Sequence, residues 1–147
     1  MSLTEEDLIN WGTEIGTLAA SEDIKKDQLE KLIASLESVR DPRLALHVTA
    51  VFALRQSQRK EPPPLTKKFA ERVAFILQQI HKANGSRTEA RKMLGFAKWI
   101  REASTERRIG LVKTLEEFIE FVCGGCRCQI IETSTRLRVL PKSEGSL

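Results

Sequence analysis

The chain has 147 residues, of which 41% are hydrophobic and 30% charged, with 3 cysteines and 5 prolines. That composition excludes a mainly disordered chain, a collagen-like repeat and a disulfide-dense miniprotein, and the length suits one domain. The formal charge is +4 at pH 7, divided into a net −5 over residues 1–40 and +9 over the rest. An acidic front and a basic body predict an anionic partner for the body. No apolar run reaches membrane-spanning length, since the longest, Leu44 to Leu54, is broken by His47 and Thr49. The acidic start, MSLTEEDL, carries no basic and apolar leader, so the expected location is cytoplasmic.

Helical periodicity dominates the first 122 residues. A first helix is expected from Thr4 to about Ala20, with Leu8, Trp11, Ile15 and Leu18 on one face. A second runs from about Ile24 to Val39 on a stripe of Leu29, Leu32, Ile33, Leu36 and Val39. Asp41-Pro42 reads as an N-cap followed by proline in the first helical position, opening a third helix to about Arg59. Its expected inward residues are Leu44, Val48, Val51 and Phe52. Glu61-Pro62-Pro63-Pro64 ends it, because proline lacks the N–H a helix needs, and makes a short, stiff connection. Thr66 is expected to cap a fourth helix carrying Phe69, Val73, Ile76, Leu77 and Ile80. Asn84-Gly85 closes it, both residues tolerating left-handed backbone.

Ser86-Arg87-Thr88-Glu89 fits a capping box for a fifth helix with Ala90, Met93, Leu94, Ala97 and Ile100 inward. Thr114-Leu115-Glu116-Glu117 is a second such box. Its helix carries Leu115, Phe118, Ile119 and Val122 and is expected to stop at Gly124-Gly125. After Cys128 the pattern changes to two strand-like runs, 129–133 and 135–140, followed by a frayed tail. The expected architecture is therefore all-α, a bundle of about six helices over residues 1–122 with a Cys-containing β-hairpin appendage over 123–147, in a single domain.

Cys123-Gly124-Gly125-Cys126-Arg127-Cys128 is the first candidate for chemistry. Cys123, Cys126 and Cys128 supply three corners of a zinc tetrahedron, but no fourth ligand lies nearby. A dithiol redox pair is a second reading, disfavoured by the negative end of a helix beside Cys123. The third is that the thiols pack as small apolar groups around a glycine turn, and this is the reading preferred for a reducing compartment. No metal or cofactor is expected. His47 and His81 have no adjacent nucleophile, and no phosphate loop, H-E-x-x-H or telling carboxylate pair is present. No enzyme is predicted.

The basic residues carry more. Arg55, Arg59 and Lys60 close the third helix, and Lys67, Lys68 and Arg72 open the fourth, so the proline-rich connection brings both clusters to one end of the bundle. Residues 87–113 hold a net +5, with Arg87, Arg91 and Lys98 on one helical face and Arg101 beyond. Such faces neutralise successive phosphates without reading bases.

Two resemblances add to this. Residues 83–96, Ala-Asn-Gly-Ser-Arg-Thr-Glu-Ala-Arg-Lys-Met-Leu-Gly-Phe, resemble the first helix and turn of a Fis-type helix-turn-helix. That likeness implies a recognition helix after Gly95, running from Phe96 to Arg101 and lying in the major groove. More broadly, Asp41-Pro42-Arg43-Leu44-Ala45-Leu46, then Phe52-Ala53-Leu54-Arg55-Gln56 and Arg59, look like the small helical subunits of type III CRISPR effector complexes. That resemblance implies a non-catalytic subunit in antiviral defence. It also implies several copies stacked along a complex, and contact between the basic face and nucleic-acid backbone by shape and charge. The absence of tyrosine and the 5% aromatic content agree with backbone contact more than base stacking. The leading expectation is thus a nucleoprotein subunit that binds RNA or DNA. Its partners would be other subunits, including copies of itself, met by the acidic N-terminal helices. A DNA-binding regulator and a protein-interaction module with a Cys-based metal site are the alternatives.

Overall fold

A computed structural model describes residues 2–59, 61–104 and 110–126. These residues are helical, as the periodicity predicts, with no strand among them. In chain order they form α1 (Glu5–Ser21), α2 (Lys26–Leu36), α3 (Leu44–Gln56), α4 (Lys67–Lys82), α5 (Arg87–Ser104) and α6 (Leu115–Cys126). The expected β-hairpin lies outside the described residues. The chain divides into two compact units, one ending at Lys113 and a second opening at Thr114 with α6. None of the described helices is long and apolar enough to cross a membrane.

The first unit holds α1 to α5. Its fully enclosed side chains include Ile15, Leu29, Leu32, Leu36, Leu46, Phe69, Ile76, Leu77, Ile80 and Met93. Each contributes about 1.5–3 kcal/mol on leaving water, before the entropy of ordering is set against it. The predicted stripes of α2, α4 and α5 face this core. In α1, Leu8, Ile15 and Leu18 are buried and Trp11 packs at the margin.

The starts of the helices follow their sequence signals. Thr4 and Asp7 form a reciprocal capping box on α1. Thr66 Oγ1 accepts from the Phe69 amide at 3.2 Å, and Thr114 Oγ1 from the Glu117 amide at 3.1 Å. At α5 the Glu89 carboxylate reaches back to the Ser86 amide at 2.7 Å, which holds its pKa below the usual carboxylate value. Asp41 does cap, but two residues ahead of the N-cap position, which Arg43 occupies. Its carboxylate accepts from the amides of Arg43 and Leu44, at 2.8 and 3.0 Å, and α3 starts only at Leu44. Pro42 therefore sits in the turn ahead of the helix.

Other boundaries shift for physical reasons. Of Asn84-Gly85 only Asn84 takes the left-handed conformation, with φ 65°. Gly85 is needed for room, since a Cβ there would lie 2.6 Å from Ile80 Cγ2. Gly124-Gly125 does not stop α6, which continues to Cys126. The third helix departs most. Ala45, Leu46, Thr49, Ala53 and Gln56 face inward, while Leu44 and Val51 are 50% and 65% exposed. This helix is apolar nearly all round, so hydrophobicity alone does not select its buried face. Small residues and two polar groups with waiting partners do. Thr49 donates to Ser35 Oγ at 3.1 Å, and Gln56 Nε2 donates to Gln28 Oε1 at 3.1 Å.

These two bonds run α2 and α3 antiparallel. The α3–α4 pair is also antiparallel: the rings of His47 and His81 meet at 4.3 Å, and Arg43 donates to the His81 carbonyl at 2.6 Å. Partial burial, then the charges of Arg43 and His47, hold the His81 imidazole below its ordinary 6.5. A depressed histidine favours the neutral folded form. Stability is therefore expected to fall as pH drops below about 6.5. A second fall follows below about 4.5, where Glu89, Glu102 and Asp41 protonate. Melting temperature against pH checks this, and His81→Gln removes the first fall only.

Helices α1 and α5 run parallel at unusually close range. A Cβ on Gly12 would lie 2.8 Å from the Met93 carbonyl oxygen, and one on Gly16 2.6 Å from that of Ala97. The spacing Gly12-x-x-x-Gly16 removes side chains from one face for a full turn, so the backbones approach. Below this seam the buried Thr17 hydroxyl accepts from the Val112 amide at 3.0 Å and lies 3.2 Å from the Val112 carbonyl. That anchors residues 111–113 against α1.

Candidate nucleic-acid interface

The topology places the C-terminal end of α3 and the N-terminal ends of α2 and α4 at one end of the first unit. Two of the predicted basic groups meet there in a built cleft. Between α2 and α3 lies a concavity of about 480 Å³ lined by Lys31, Ser35, Ser38, Phe52, Arg55, Gln56 and Arg59. Among the described residues no carboxylate lines it. Arg59 is oriented from beneath: its Nη1 donates at 3.1 Å to Gln56 Oε1, and the buried Gln56 is fixed by Gln28. Among the described residues Lys31 and Arg55 have no acidic partner within ion-pair distance. The Ser35 hydroxyl, which accepts from Thr49, stands beside three cations, and together they are a donor set for an anion such as a phosphodiester.

Lys67 and Lys68 are exposed on the first turn of α4, and Lys67 has only a loose partner, Glu71 at 4.0 Å. Arg72 is different. It forms a two-pronged pair with the buried Glu14, the Nη2–Oε1 arm measuring 3.0 Å. Lys60 lies outside the described residues.

The bases of α5 are engaged within the chain. Arg87 donates to the carbonyls of Leu36, Val39 and Arg40 at 2.9, 2.7 and 2.8 Å, satisfying the last carbonyl of α2 and two of the turn after it. Arg91 pairs with Glu37, Lys92 with Glu5 at 3.0 Å and Lys98 with Glu30 at 3.2 Å. Arg101 donates to the Ile24 carbonyl at 2.6 Å. The acidic front thus meets the basic body inside one molecule, where Glu5, Glu14, Glu30 and Glu37 each hold a base. Residues 87–104 also form one helix that runs through Gly95.

Lys31 was not legible as a site residue, although Gln28, Lys31, Ser35 and Ser38 do share a polar stripe at helical spacing. For the cysteines, Cys123 is exposed and unpaired, Cys126 is the last described residue and Cys128 lies beyond. No group of three or more metal-ligating side chains occurs among the described residues. In comparisons with known proteins the chain matches no family model, no curated protein and no solved structure.

Proposed function

We propose that this protein is a non-catalytic subunit of a nucleoprotein assembly. In this reading it holds RNA or DNA by the backbone in the α2–α3 cleft, as the likeness to type III CRISPR small subunits implies. One observation carries the reading: Arg72 and the bases of α5 are matched by acids or carbonyls of this chain, whereas Lys31, Arg55 and Arg59 converge on a concavity with no carboxylate among its described lining residues. Lys67 and Lys68 extend the positive surface across the connection to α4. Contacts from lysine and arginine to phosphates fix register and strand path, and carry no base sequence.

The outward stripe of Leu44, Val51 and Leu54 on α3 supports a protein partner beside the nucleic acid. In this reading other subunits dock there, and the acidic N-terminal helices serve the fold.

Reversing Arg55 and Arg59 to glutamate tests the cleft by fluorescence anisotropy with labelled RNA. Affinity is expected to fall at least about tenfold near 0.1 M salt, equally for unrelated sequences, with a slope against log salt smaller by about 1.4–1.8. Arg91→Gln, at a base already paired with Glu37, is expected to change little. Unchanged affinity in the double reversal refutes the assignment.

A further inference from the structure

A second concavity, of about 700 Å³, opens between α1 and α4 and is walled by Leu18, Lys67, Lys68, Arg72, Phe75 and Leu111. The size falls in the range of small-molecule sites, about 300–1,000 Å³. Phe75 is the feature that asks for an explanation. A large aromatic side chain at the centre of α4 is 49% exposed, on a helix whose other large apolar residues are buried. Its ring is backed by the Arg72 guanidinium, 4.9 Å from the centroid. That guanidinium is itself locked by Glu14, which is nearly enclosed. The result is a rigid ring with a cation fixed against it.

The surroundings narrow the ligand. Leu18 and Leu111 supply apolar walls, and Leu111 is positioned because the next residue, Val112, is tied to Thr17. Three cations and two carboxylates line the space, leaving one positive charge over. Lys68 has no acidic partner among the described residues, and both lysines lie on the first turn of α4, where the helix dipole also favours an anion. A wholly apolar ligand would leave Lys68 unanswered, and a simple anion would leave Phe75 bare. A flat π-system bearing one phosphate answers both, because bases stack on aromatic side chains and phosphates pair with lysine.

We propose that this cavity takes a single unstacked nucleotide, its base against Phe75 and its phosphate at Lys67 and Lys68. The proposal rests on the nucleic-acid reading above only in taking that base to belong to the bound strand.

The test uses the full chain and two probes. Adenosine 5′-monophosphate is expected to shift the NMR signals of amides near Phe75 and Glu14, and inorganic phosphate at the same concentration to leave them in place. A single-stranded oligoadenylate is expected to bind about tenfold more tightly than a ribose-phosphate oligomer of equal length without bases. Phe75→Leu should erase that difference with abasic binding unchanged, and Phe75→Trp should keep it. Phe75 is half exposed, so both variants are expected to fold, which thermal melting verifies. Equal binding of the two oligomers by the unaltered protein overturns the base site and leaves the backbone reading standing. Nucleotide shifts around Phe75 without binding of either oligomer uphold the cavity and overturn the backbone reading. Absence of both overturns both.

Discussion

Gly16→Leu is expected to leave the chain unfolded, and Gly16→Ala to remove about 3 kcal/mol of stability. The Cβ of an alanine at Gly16 would lie 2.6 Å from the Ala97 carbonyl oxygen and 2.6 Å from Ile100 Cβ. Non-bonded carbon contacts settle at about 3.5–4.0 Å, so α1 and α5 must move apart along the seam. Neither obstacle is the free end of a flexible side chain. One is backbone, and the other is the root of a β-branched residue inside the core. The intrinsic helix preference for alanine over glycine, about 1 kcal/mol, is too small to offset that separation. Gly95 makes the opposite case. Nothing lies within 4 Å of a Cβ built there, so Gly95→Ala is expected to gain about 0.5–1 kcal/mol. Urea unfolding followed by circular dichroism measures both. A Gly16→Ala midpoint equal to that of the unaltered chain would contradict the close crossing.

Much of the helical order was legible because it is local. Thr66, Ser86 and Thr114 stand directly before helices, and a side-chain acceptor three residues from its amide needs no tertiary partner. The amphipathic stripes of α2, α4 and α5 were legible because each helix has one apolar face and one charged face. The third helix was not, because Leu44, Val48 and Val51 offer a stripe as good as the one actually buried. What settles the matter is Ser35 meeting Thr49 and Gln28 meeting Gln56, contacts between helices that no single-helix pattern contains. Gly12 and Gly16 belong to the same category. The spacing is visible in the sequence, but its purpose depends on the α5 carbonyls across the seam.

The candidate site divides along the same line. Arg55 and Arg59 were found by charge clustering, which is enough where the charges remain unpaired. Charge clustering also gathered Arg87, Arg91 and Lys98, because composition does not tell a base awaiting a phosphate from one already holding a glutamate. Arg87 is the clearest example, for its guanidinium binds three carbonyls, that of Leu36 at the end of α2 and those of Val39 and Arg40 in the turn beyond. The net −5 and +9 halves read as a surface for an outside partner, and the structure has them meeting each other. What remains for a ligand is local, a cleft whose third cation, Lys31, comes from the acidic half.

Arg72→Met is expected to cost about 3 kcal/mol, near the low end for breaking a buried ion pair because Arg72 remains 34% exposed while Glu14 is 6% exposed. Removing the arginine leaves the buried Glu14 carboxylate without its two donors. Replacing both partners, Glu14→Leu with Arg72→Met, is expected to recover most of that loss, since the desolvation of two charges disappears together with their attraction. A single substitution costing less than about 1 kcal/mol in urea unfolding would mean that water or another base satisfies Glu14. The outcome also bears on how binding experiments are read. Arg72 belongs to the predicted basic cluster, yet its charge is already answered within the chain. Loss of nucleic-acid affinity in Arg72→Met would therefore mix a weakened fold with a lost contact. The double variant separates the two: restored stability with affinity still reduced would assign Arg72 a direct part in holding the ligand, through the ring of Phe75 that it backs.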